Sequence, residues 1–148
     1  MTGGMSDVDM NIPEAVEVPE NIELTAYSKD TVLTTGKKKH DFLCEILRWM
    51  AYFPFTENTY FSARQTFDVG RPIVPNSRMT AYYFAETPII SADELFQNCP
   101  TANGFVHLVP ISEQERMFAM DNGPEELLRL FHDNDVGPFF DLDRKSVV

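Results

Sequence analysis

The fold turns on residues 104 to 131, Gly-Phe-Val-His-Leu-Val-Pro-Ile-Ser-Glu-Gln-Glu-Arg-Met-Phe-Ala-Met-Asp-Asn-Gly-Pro-Glu-Glu-Leu-Leu-Arg-Leu-Phe. Phe105 to Val109 is a short apolar run of β-formers, which predicts a strand covered on both faces. Pro110 cannot donate to a sheet ladder, so the strand is expected to stop there. Ser112 with Glu115 three residues on matches a capping box, in which the hydroxyl satisfies an orphan amide and the carboxylate reaches back. Met117, Phe118 and Met120 give the helix that follows an apolar side. Gly123 then suits a left-handed residue past the helix end, and Pro124 the first position of a second helix. That second helix is expected to bury Leu127, Leu128 and Phe131.

Upstream, Ile22 to Tyr27 alternates apolar and polar residues, the pattern of a strand with one solvated face. His40 to Phe53 carries Phe42, Leu43, Ile46, Leu47, Met50 and Phe53 on one helical stripe, with Trp49 beside it and Pro54 as the expected stop. Tyr60–Phe67 and Met79–Ala85 read as aromatic-rich strands joined by Gly70-Arg71-Pro72 and Pro75-Asn76-Ser77. Ile89-Ile90 is a short apolar pair, Ala92 to Gln97 fits one or two helical turns, and Cys99 to Gly104 is a loop feeding the strand. His132 to Pro138 is a second loop, and Phe139 to Arg144 is a last strand or a packed tail. The expected architecture is α+β: a single domain with a mixed or antiparallel central sheet and helices packed on it. Residues 1–21, acidic and carrying Pro13 and Pro19, form an N-terminal arm, either flexible or extended along the domain of residues 22–148.

A chain of 148 residues is large enough to bury roughly 70% of its unfolded surface. Its hydrophobic content of 43% supports a real core rather than disorder. The net charge of −11 argues against nucleic acid, whose phosphates need a basic footprint, and against an anionic membrane surface. An acidic field favours a basic protein partner, or simply keeps the chain soluble. The acid is uneven: residues 112–148 hold nine carboxylates against four basic side chains, a net −5. Two cysteines, Cys44 and Cys99, make neither a disulfide framework nor a CxxC pair. No apolar run or signal-peptide pattern marks a membrane or an export route, so the cytoplasm is the expected location.

Motifs for chemistry are absent. Nucleophilic catalysis needs a thiol or hydroxyl beside a base, and Cys99 with His107 is the one conceivable pair. His107 sits between Val106 and Leu108, however, and reads better as a strand histidine with a local partner; Cys44 reads as a small core residue. The three histidines have no metal-ligand spacing. Asp133-Asn134-Asp135 fails as a calcium loop because Gly137, Pro138 and Arg144 stand where a ligand, the glycine and the bidentate glutamate belong. There is no phosphate-cradling glycine motif, and no cofactor is expected. Glu113/Glu115 and Glu125/Glu126 occupy first turns of helices, where carboxylates favour the positive helix end. The Asp141-x-Asp143-Arg144 tail is expected to make local ion pairs. The clusters Tyr52-Phe53-Pro54-Phe55, Tyr60-Phe61 and Tyr82-Tyr83-Phe84 are read as an aromatic core or, beside an acidic rim, a protein-binding patch.

The order of these elements resembles the Suppressor of fused domain family. The resemblance rests on Glu23-Leu24-Thr25-Ala26-Tyr27-Ser28, Asp41-Phe42-Leu43 and Leu47 through Pro54. It continues in Val106 to Glu115, Gly123 to Leu128, and Arg144-Lys145-Ser146. Members often carry a Gly-His-Thr-like element in a middle strand, where this chain has Ala63-Arg64-Gln65-Thr66. The resemblance implies a mixed α/β domain without enzymatic activity. Animal relatives restrain Hedgehog signalling by holding transcription factors; stand-alone bacterial members resemble immunity proteins that neutralise a toxin. The expected function is therefore protein binding, as an immunity-type protein against a basic toxin domain. The alternatives are a regulator or scaffold that binds a transcription factor or itself, and a cysteine enzyme using Cys99 and His107. The candidate contact residues are Glu113, Glu125, Glu126, Asp133 and Asp135.

Overall fold

A computed structural model describes residues 1–28, 37–86 and 102–148, with side chains given from Phe42 onward in the second range. Four strands, β1 (Ile22–Thr25), β2 (Thr66–Asp68), β3 (Met79–Glu86) and β4 (Gly104–Ser112), form one mixed sheet in the order β1-β4-β3-β2. β1 runs parallel to β4, with Leu24 opposite Val106; β3 is antiparallel to both β4 and β2. Among the described residues, three α-helices, α1 (Lys37–Thr56), α2 (Glu113–Asn122) and α3 (Pro124–Asp133), pack on this sheet. The α+β architecture with a mixed sheet is thus as the sequence implies. Ile89-Ile90, Ala92–Gln97, Cys99 and most of the Ser28–Gly36 turn fall outside the described residues.

β4 is the central strand and is longer than expected, because it passes straight through Pro110, which lies opposite Tyr82. The Pro110 carbonyl accepts from Arg144 Nη2 at 2.7 Å rather than from β3. Amide and carbonyl of one strand residue point the same way, so the missing N–H falls on the side that β1, ending opposite His107, has already left. β1 is buried along all four residues, Glu23 and Thr25 included, rather than solvated on one face. The aromatic run before β2 is mostly irregular, and only Thr66–Asp68 pairs.

On one face of the sheet Ile22, Leu24, Tyr82, Phe84, Val106 and Leu108 pack against Leu47 and Met50 of α1 and against Phe61. Phe53, Phe61, Phe67 and Phe84 make a chain of edge-on and stacked rings 4.8 to 5.9 Å apart. The aromatic clusters are therefore mainly core. α1 starts at Lys37 and does not stop at Pro54, which lies inside its last turn. A proline there forfeits one bond to the preceding turn, while Glu57 N–H still reaches the Phe53 carbonyl at 3.0 Å.

The arm packs on the same face: Met5 and Met10 are buried in this core. Thr2 closes the open edge of β1, its amide donating to the Leu24 carbonyl and its hydroxyl accepting from the Leu24 amide, each at 2.8 Å. Gly104 allows the approach of Pro19, since a Cβ there would lie 2.8 Å from the proline Cγ.

The opposite face carries Ala81, Tyr83, Val109 and Ile111 against Ala119, Leu127 and Phe131. The Ser112–Glu115 capping box forms, and Pro124 opens α3. Gly123 has φ 96° but ψ 152°, an extended glycine conformation rather than a left-handed helical one. Two apolar expectations are corrected. α2 buries Glu115 and Ala119 and leaves Met117 and Met120 exposed; α3 buries Leu127 and Phe131 but leaves Leu128 exposed. Burial follows the i, i+4 stripe, and those three side chains lie off it.

Candidate protein-binding face

The second face is fixed by one buried carboxylate. Glu115 is fully buried and accepts from the Ser112 amide at 2.9 Å, the Val147 amide at 3.0 Å, and Arg144 Nη1 and Nη2 at 2.6 and 2.7 Å. The Arg144 guanidinium also lies over the Phe131 ring, 5.1 Å from its centroid. This bidentate pair ties the C-terminal tail to α2 and β4. Asp141 and Asp143, the local partners expected for Arg144, are not its partners; the buried glutamate is.

Around this anchor the surface carboxylates are gathered by arginines. Arg64 bridges Glu86 (3.4 Å) and Glu125 (3.3 Å); Arg116 bridges Glu113 (2.7 Å) and Asp68 (3.8 Å); Arg129 bridges Glu126 (2.9 Å) and Asp133 (3.2 Å). Each group pairs one cation with two anions and so keeps a net negative charge. The Arg116 hydrogen bonds hold the Glu113 carboxyl below its usual range, and Glu113 in turn raises the Arg116 guanidinium. All five candidate residues are exposed, as a docking role requires. Glu126 and Asp133 meet on one arginine, Glu125 and Glu113 belong to separate groups, and Asp135 sits in the turn after α3 with φ 53°.

Between α3 and the sheet lies an open groove of about 530 Å³, with Tyr83, Val109 and Phe131 inside and Arg64, Glu86 and Leu128 among its walls. Leu128 is 50% exposed. Sequence reading assigned it to the core, and its one-residue offset from the Leu127/Phe131 stripe was the available signal to the contrary. Arg64, missed altogether, reaches the groove from a left-handed backbone (φ 70°) whose amide donates to the Phe84 carbonyl at 2.6 Å. Nothing in the local sequence announces that turn.

His107 is the strand histidine with local partners. Nδ1 lies 3.0 Å from the Thr25 hydroxyl, Nε2 makes a short contact with the Pro138 carbonyl, and the ring stacks on Tyr27 at 4.6 Å. A carbonyl only accepts, so Nε2 carries the proton and Nδ1 takes the Thr25 hydrogen. Burial lowers the His107 pKa, opposed by backbone hydrogen bonding from Pro138 and Thr25. Neither nitrogen is left to activate a nucleophile, and Cys99 lies outside the described residues. Cys44 is exposed on α1 rather than buried. Among the described residues no cluster of three metal-ligating side chains occurs, and no helix is long and apolar enough to cross a membrane.

The family model of Suppressor of fused protein (SUFU) matches residues 1–145. The chain belongs to the Suppressor of fused family. A crystal structure at 1.40 Å resolution of a SUFU homolog from Neisseria gonorrhoeae FA 1090 is similar in fold, with a TM-score of 0.58 and 26% identity over 72% of this chain. The chain spans 57% of the length of that structure. No curated protein matches the chain.

Proposed function

We propose that this SUFU domain is a non-catalytic, cytoplasmic, immunity-type protein that binds a basic toxin domain and occludes it. The observation that carries this reading is an apolar anchor inside an acidic rim. Half-exposed Leu128 stands at a groove bordered by Glu86, with the Arg64–Glu125 pair beside it and the Arg129 group flanking it along α3. Binding energy concentrates in such anchors, while a charged rim sets partner choice and association rate. A basic partner can also displace Arg64 and Arg129 from carboxylates already gathered for it. Occupation of both His107 nitrogens supports the non-catalytic part.

The test is co-purification with products of adjacent genes, followed by Leu128→Glu and Glu125→Lys/Glu126→Lys variants. The expected result is a stable complex that Leu128→Glu weakens at least about 30-fold, with the lysine pair slowing association. Failure of every neighbour-encoded protein to bind would overturn the immunity reading. A complex indifferent to all three substitutions would move the contact off α3.

A further inference from the structure

A second surface, on the far side of the sheet, has a different chemistry. Val8 and Tyr52 are 55% and 65% exposed, and both line one groove of about 640 Å³ between the arm and α1. Met1, Met5, Leu47, Ala51 and Phe55 add to its apolar wall. Trp49, one turn before Tyr52, is 51% exposed. Exposed aromatic and aliphatic side chains that converge on one concavity are the mark of an interface rather than of scattered surface apolar residues.

Charge identifies the occupant. The groove beside α3 contains Glu86, the one under Trp49 contains Glu45, and the one along the tail contains Asp135 and Asp141. Among the described residues that line it, the α1 groove has no carboxylate, and their side-chain charge is Arg48. Arg48 is exposed and has no hydrogen-bond or ion-pair partner among the described residues. A chain of net charge −11 repels its own copies wherever carboxylates face each other; here they do not.

The surface is also self-complementary. Arg48 and Tyr52 are four residues apart on one exposed ridge of α1. A two-fold axis passing between them sets the two α1 helices antiparallel, and each Arg48 then meets the other copy's Tyr52 ring. Such isologous pairing closes a dimer without leaving a free edge. A guanidinium over an aromatic face within about 6 Å is attractive, more so once desolvated.

We propose that the α1–arm groove is the interface of a symmetric homodimer, held by apolar packing of Val8 and Tyr52 and by reciprocal Arg48–Tyr52 contacts. The dimer would leave the α3 face free on both copies.

Sedimentation equilibrium of the full chain from micromolar to millimolar concentration, at about 0.15 M salt, tests the proposal. A monomer–dimer equilibrium is expected, with Tyr52→Glu raising the dissociation constant about 30-fold or more. Arg48→Glu should weaken it less, and the exchange Arg48→Tyr with Tyr52→Arg should recover part of the loss, because a two-fold contact survives swapping its partners. Both positions are exposed, and an unchanged circular dichroism spectrum verifies that the variants fold. Leu128→Glu, on the opposite face, should leave the dimer intact. A chain monomeric throughout that range would overturn the proposal. So would a dimer insensitive to Tyr52→Glu, or one dissolved by Leu128→Glu instead.

Discussion

Glu23 and Glu115 are both fully buried glutamates, and each holds a peripheral segment against the sheet, yet they do so by different chemistry. Glu23 collects neutral donors from the arm: the amides of Gly4 and Ser6 at 3.0 Å, the Ser6 hydroxyl at 2.7 Å, and the Thr2 hydroxyl. Glu115 collects a guanidinium and the Val147 amide from the opposite end of the chain, and the amide of its own capping residue Ser112. A buried carboxylate is stable only when its charge is answered. The arm answers with dipoles spread over three residues. The tail answers with a counter-charge concentrated on one residue, Arg144.

Glu115→Ala breaks the tail clamp outright. It leaves Arg144 buried without its counter-ion and removes the capping-box acceptor for the Ser112 amide. Loss of one partner of a buried pair costs about 3–5 kcal/mol, roughly 10 °C in Tm for a domain of this size. Replacing both partners, as Glu115→Leu with Arg144→Met, should recover much of that loss, because no uncompensated charge remains. Calorimetry of the two variants decides; a double variant no more stable than Glu115→Ala would show that hydrogen bonding rather than charge dominates the clamp.

The arm clamp should yield less. Glu23→Gln keeps the shape but removes the charge that strengthens four hydrogen bonds and turns one acceptor into a donor facing other donors. A loss of about 1.5–3 kcal/mol is expected, concentrated in the arm. Hydrogen exchange at the amides of Gly4, Ser6 and Leu24 should accelerate while β4 stays protected. Uniform acceleration across the sheet would mean that the arm and core unfold together and that the distributed clamp is not local.

The same contrast marks what the sequence could and could not disclose. The capping box, the Pro124 start of α3, the apolar stripe of α1 and the central apolar strand were legible because each is a local pattern with one physical meaning. The length of β4 was not, since tolerance of Pro110 depends on where β1 ends and on Arg144, thirty-four residues away. Burial of Glu23 was hidden for a similar reason: alternation in β1 reads as a solvated face unless the arm is known to cover it. At the candidate site the five carboxylates singled out from the sequence are all exposed. Their grouping by Arg64, Arg116 and Arg129 was hidden, because two of the three groups join different elements of the fold. Leu128 and Tyr52 were placed only when helix faces could be assigned residue by residue.

His107 adds a third, weaker tie, and it is sensitive to pH near neutrality. It joins Thr25 of β1 to Pro138 of the tail through opposite ring nitrogens. Burial holds its pKa below the ordinary 6.5, so between the two values the unfolded chain binds a proton that the folded chain refuses. Stability therefore rises with pH across that window. The contribution is complete above 6.5 and is lost as pH falls toward the lowered folded value. Urea denaturation from about pH 5 to pH 7.5 should show this slope, and His107→Gln, which does not titrate, should flatten it while lowering stability at neutral pH through the altered Thr25 and Pro138 contacts. Carboxylates contribute to both proteins alike, so the difference between the two curves isolates the histidine. Parallel curves would mean that the folded imidazole takes up its proton as readily as the unfolded one, and that the tail moves away from Nε2 to allow it.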